Sequence, residues 1–86
     1  MNWSHHMDDK TILERITALS DEELQLEEHH ANGVPSKDSA DRLKSIEAEL
    51  DQCWDLLRQR RARRLAGQDP DLAAVRPDDV VERYLQ

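Results

Sequence analysis

Five arginines fall within seven residues, Arg58, Arg60, Arg61, Arg63 and Arg64, directly after Trp54 and two leucines. Planar guanidinium forks grip phosphates and carboxylates in a two-pronged way that lysine does not match. Tryptophan and arginine are also the residues that carry most binding energy at protein interfaces. The block therefore admits two roles: a grip on a phosphate or an acidic protein surface, or internal pairing with the chain's own carboxylates. Internal pairing is the leading expectation for Arg60, Arg61 and Arg64. Cations at a helix C-terminus gain about 0.3–1 kcal/mol each from the helix dipole, and Asp8, Asp9, Asp69, Asp71, Asp78 and Asp79 return to the same end if the chain doubles back. A net charge of −7 argues against nucleic acid, because the surface outside the block repels a polyanion.

The other candidate chemistry is weaker. Asp51 and Asp55 stand one helical turn apart like a carboxylate pair, but on an exposed helix, with Arg58 three residues beyond Asp55, they read as solvated or paired along the helix. His29 and His30 are neighbours that point in different directions, so they cannot share a metal unaided. Several glutamates, among them Glu14, Glu22, Glu27, Glu28, Glu47 and Glu49, resemble the carboxylates of di-iron bundles. That design needs Glu-x-x-His on facing helices, and the second half of the chain has no histidine. With two glycines in 86 residues there is no phosphate-cradling loop and no glycine turn to expose a nucleophile. No enzyme, cofactor or metal is expected. Cys53, the sole cysteine, excludes an internal disulfide and reads as a small buried hydrophobe in a reducing compartment.

The elements that must hold these residues are helices. Ile12, Leu13, Ile16, Leu19, Leu24 and Leu26 recur at spacings of three and four, one face of an amphipathic helix over 9–31. Ser20 and Glu23 have the spacing of a capping box, but the stripe resumes after them and the helix is expected to run through. Asn32-Gly33 suits a positive-φ helix end, Val34-Pro35 prevents continuation, and Ser36 or Ser39 can cap the next helix. That second helix, over 37–66, steps through Leu43, Ile46, Leu50, Cys53 and Leu57 as a heptad seam, with Trp54 read as core beside it. Gly67 and then Asp69-Pro70 stop it.

A short connection makes the helices antiparallel neighbours. The expected structural seam is Ile12, Ile16 and Leu19 against Leu43, Ile46, Leu50, Cys53 and Leu57, with Leu13 near Leu57, Trp54 near Ile16 and Ile46 near Leu24. The fold class is all-α: a coiled-coil-like hairpin over 8–67, after a disordered leader over 1–7, with a C-terminal tail over 68–86. Two stripes alone seldom outweigh the entropy of ordering the chain. Either the tail, with Leu72, Val75, Val80, Val81, Tyr84 and Leu85, or a second copy completing a four-helix arrangement must cover the other side. Pro77, Asp78 and Asp79 suit the first turn of a short tail helix over 78–85.

The segment LDQCWDLLRQRRARR, followed by AGQDPD and the terminal VVERYLQ, resembles a family of short bacterial proteins catalogued as a domain of unknown function. The resemblance covers residues 8–86, leaves 1–6 outside it, and implies a helical hairpin in a cytosolic setting. It brings no activity. No run of apolar residues is long enough to span a membrane, so a cytoplasmic location is expected. The functional expectation is an interaction or scaffolding module, forming a homodimer or binding an acidic protein. Its contact residues are Trp54, Arg58, Arg60, Arg61, Arg63 and Arg64. The alternative is a nucleic-acid-associated protein that uses the same arginines on phosphates.

Overall fold

The computed structural model describes residues 8–33, 36–77 and 81. Helix α1 spans Asp9–Asn32 and helix α2 spans Lys37–Leu65. A single 3-10 turn follows at Pro70–Leu72. There is no strand among the described residues. The leader and most of the 78–85 segment lie outside them; Val81 is described, is helical and is fully buried.

Side-chain chemistry sets each helix end. Asp8 caps α1, its carboxylate accepting from the Thr11 amide at 2.8 Å, and α1 continues through Ser20 as expected. Ser36 caps α2 in a reciprocal box with Ser39. Ser39 also lies 2.6 Å from His30 Nε2, which ties the end of α1 to the start of α2. The expected positive φ at Asn32-Gly33 is corrected: Asn32 is helical and Gly33 is extended, with φ −158°. The left-handed glycine is Gly67, φ 73°. There the Gly67 amide donates to Arg64 O at 3.1 Å and the Gln68 amide to Arg63 O at 2.8 Å, the paired bonds of a Schellman helix end.

The helices run antiparallel, and ion pairs fix the register: Arg15 to Glu49 at 2.7 Å, Arg42 to Glu22 at 2.6 Å and Arg60 to Asp9 at 2.6 Å. Between them Ile12, Ile16, Leu19, Ile46, Cys53 and Leu56 form the buried core, with Leu26, Leu50 and Leu57 packed at its margin. Leu43 is half-buried. Two expectations about this seam are corrected. Leu13 and Leu24 stand 47% and 57% exposed, because the heptad line from Ile12 through Ile16 and Leu19 passes over Glu23, not Leu24, to reach Leu26. Trp54 is 49% exposed and outside the core. Cys53 occupies the seam, and the next residue is turned about 100° away from it.

The tail covers the hairpin in cis. Ala73 and Val75 pack on the core, while Leu72 remains exposed. Leu56 is buried because it lies between the α1 side of α2 and the side the tail covers.

Candidate interaction site

Helix α2 presents three faces with different occupants. The first faces α1 and carries the seam, continued at its C-terminal end by Arg60 and Arg64. Arg60 is only 7% exposed; its Nε donates to Asp9 at 2.6 Å and its Nη1 to Asp71 at 2.9 Å. Arg64 reaches the other Asp9 oxygen at 2.7 Å. Hydrogen bonds from Arg64 and Arg60 hold the Asp9 carboxyl below its ordinary value. This cluster ties the start of α1, the end of α2 and the 3-10 turn together.

The second face holds the tail. Gln52, Asp55 and Gln59, spaced by three and four, line one side of α2. Gln59 Nε2 donates to Ala74 O at 2.7 Å and Gln52 Nε2 to Arg76 O at 3.2 Å. Gln59 Oε1 accepts from the Ala74 amide at 3.4 Å. These two glutamines thus hold the backbone of 74–76. Between them Asp55, with no exposed surface, accepts from both Arg76 Nε, at 2.9 Å, and Arg76 Nη2, and from Gln59 Nε2 at 2.9 Å. Burial pushes the Asp55 carboxyl up, but the hydrogen bonds from Arg76 and Gln59 and the charges of Arg76 and Arg58 outweigh it and leave the group below its ordinary value.

The third face has no occupant among the described residues. At about 100° per residue, Glu47, Asp51, Arg58, Arg61 and Leu65 all fall within about 60° of the direction of Trp54. All but the half-buried Asp51 are exposed. Arg58 lies 3.6 Å from Asp55, while Arg61 forms no ion pair among the described residues.

The arginine block therefore divides by helical geometry. Arg60 and Arg64 are structural, Arg58 and Arg61 face solvent, and Arg63 lies between, donating to Gln68 Oε1 at 3.1 Å across the Gly67 turn. Of the expected internal pairs, those of Arg60 and Arg64 with Asp9 form, whereas Arg61 stands outside the cluster. Asp8 and Asp69 are taken up as helix caps, and Asp78 and Asp79 lie outside the described residues. Of the two readings of Asp55, pairing along the helix with Arg58 is found, at 3.6 Å, while solvation is corrected, since Asp55 is the most deeply buried charge among the described residues. Sequence reasoning missed the clasp formed by Gln52, Asp55, Gln59 and Arg76. Its one sequence signal is a polar stripe at heptad spacing beside the apolar seam.

Replacing Arg60 with Gln is expected to cost about 1–2 kcal/mol, a charge-assisted network discounted for its half-exposed carboxylates. Arg61→Gln should leave the melting temperature unchanged. Thermal denaturation of the two variants side by side checks the division; equal losses would mean that Arg61 also pairs internally.

Cys53 is buried beside Ile46 and Leu56, and burial pushes its thiol up to about 11. Because the thiolate is the reactive form, a chromogenic disulfide reagent at neutral pH is expected to label Cys53 only as fast as the hairpin opens. Rapid labelling of the folded chain would contradict that placement. Among the described residues, no group of three or more His, Cys, Asp and Glu side chains is arranged to hold a metal ion, and no helix is long and apolar enough to cross a membrane.

These features define an all-α hairpin protein, locked by its own C-terminal segment and leaving one charged helical face open. The chain belongs to the family described as "Protein of unknown function (DUF2630)", which it matches over residues 8–86. It is similar to uncharacterized protein Mb0922c of Mycobacterium bovis and uncharacterized protein Rv0898c of Mycobacterium tuberculosis. Each is 43% identical over 77 residues, covering 90% of this chain and 88% of the relative. No solved structure matches it.

Proposed function

We propose that the protein is a non-catalytic interaction or scaffolding module of the cytosol that self-associates through the open face of α2. The observation that carries this reading is the exposed Trp54 with Arg58 and Arg61 on the same face. Tryptophan and arginine together are the typical content of an interface centre, and a half-exposed indole on a rigid helix is ready to bury further area without reordering the backbone. An elongated molecule of 50 × 25 × 20 Å, one helix pair thick, offers little room to enclose a substrate, which supports a non-catalytic role. The rival role on nucleic acid is weakened by the engagement of Arg60 and Arg64 with carboxylates and by the net charge of −7.

Light scattering across a concentration series tests the proposal. The mass is expected to rise from 10.0 kDa toward twice that value, with Trp54→Ala shifting the rise to higher concentration. A monomer at every concentration would overturn self-association. Binding to a duplex oligonucleotide that weakens steeply with added salt would favour the rival.

A further inference from the structure

The open face of α2 is segregated by charge, and the segregation is centred on one residue. Glu47 stands seven residues before Trp54 and Arg61 seven after it; Asp51 stands three before and Arg58 four after. The N-terminal half of the stripe is thus acidic and the C-terminal half basic, with the indole at the midpoint. A stripe of this kind is complementary to itself when reversed. Two copies of α2 laid antiparallel, with the symmetry axis beside Trp54, bring Glu47 of each copy to the level of Arg61 of the other and Asp51 to the level of Arg58. The indoles meet at the axis. This is the requirement of an isologous two-fold interface, in which one patch meets its own copy.

From this we infer that the occupant of the face is a second copy of this chain, bound antiparallel through α2 about a two-fold axis at Trp54. The inference rests on the proposed self-association and adds its register and orientation. Three observations select this arrangement. The other two faces of α2 are already covered, by α1 and by the tail. The outward surface of α1 is predominantly acidic, with Glu14, Asp21, Glu27 and Glu28 against Lys10, which already pairs with Glu14 at 3.9 Å, so two copies meeting there would repel one another. A parallel pairing of α2 would set Arg58 and Arg61 against their own copies and Glu47 against Glu47, and like charges placed opposite one another oppose association.

Reversing the charge of each half separately tests the register. In Glu47→Arg/Asp51→Arg the whole stripe becomes basic, and in Arg58→Glu/Arg61→Glu it becomes acidic. Glu47, Asp51 and Arg61 form no side-chain hydrogen bond or ion pair with α1 or the tail among the described residues, whereas Arg58 lies 3.6 Å from Asp55 of the tail clasp, so circular dichroism with a thermal melt checks that both variants keep the wild-type helicity and stay folded. Each variant alone is expected to lose self-association by about a hundredfold, because both ends of the interface then set like charges together. An equimolar mixture of the two is expected to recover a species of dimer mass, since an all-basic stripe complements an all-acidic one. If the wild type dimerises and both variants keep their dimers, or if the mixture fails to recover one, the two-fold register is wrong while self-association stands. If the wild type is monomeric throughout, self-association and this arrangement fall together. An acidic partner peptide that binds the wild-type monomer through Arg58 and Arg61 would then identify the face as one for a different protein.

Discussion

Arg76→Ala is expected to lower stability by about 3–5 kcal/mol, the cost of stranding one member of a buried ion pair. For a chain of this size that is a fall in melting temperature of more than about 12 °C, and it brings the protein close to its unfolding threshold. The loss should exceed that of Asp55→Ala. Asp55 has no exposed surface, whereas the Arg76 side chain is about a third exposed and already reaches water beside Asp55. Replacing both residues with leucine should recover much of the loss, since apolar pairs often substitute for buried ion pairs at little cost.

The dependence on pH carries the sign of the mechanism. In the wild type the folded-state pKa of Asp55 lies below its ordinary 3.8. Its contribution is therefore fully present above about pH 4 and is lost as the pH falls through the folded value. In Arg76→Ala, burial acts with much less opposition and raises the pKa of Asp55, so the variant's deficit should shrink as the pH is lowered from neutrality. Chemical denaturation of both proteins between about pH 4 and pH 7, the range over which such a carboxyl titrates, measures this directly. A deficit independent of pH would show that the carboxylate is not enclosed as described.

The second large effect separates the seam from its apparent continuation. Ile46→Ala removes a fully buried side chain between the helices and is expected to cost about 2–5 kcal/mol. Leu24→Ala, which looks equivalent on a helical stripe, should change stability by no more than about 0.5 kcal/mol, because Leu24 is largely exposed. Thermal melts of the pair decide the matter. A large loss at Leu24 would mean that the line of contact leaves α1 through Leu24 and not through Glu23.

The class of fold and the element bounds were legible in the sequence because they depend on local chemistry. Heptad spacing from Ile46 to Leu57 sets one face of α2 apolar, Ser36 caps α2 wherever the chain goes next, and Gly67 ends α2 because it alone there adopts a left-handed conformation without strain; the cap of α1 was not read, because Asp8 was assigned to the arginines instead. The pairing of Arg60 and Arg64 with Asp9 was legible for a related reason: once two helices are joined by a short turn, residues equally distant from that turn must meet.

Which sides of α2 are covered was not legible. Whether Asp55 is solvated or buried depends on where Arg76 arrives, and nothing in the periodicity of α2 shows that residues 73–77 will lie along it. Trp54 was read as core because a large aromatic beside a seam usually is. It stays half-exposed because Cys53 has taken the inward position and the tail has covered the opposite flank. Sequence by itself determined two amphipathic helices, the cap of the second and their antiparallel pairing, since spacing, short-range hydrogen bonding and a short connection specify these. Only the tertiary structure decided which charged residues are buried and which face remains open, because burial depends on the return of a distant segment.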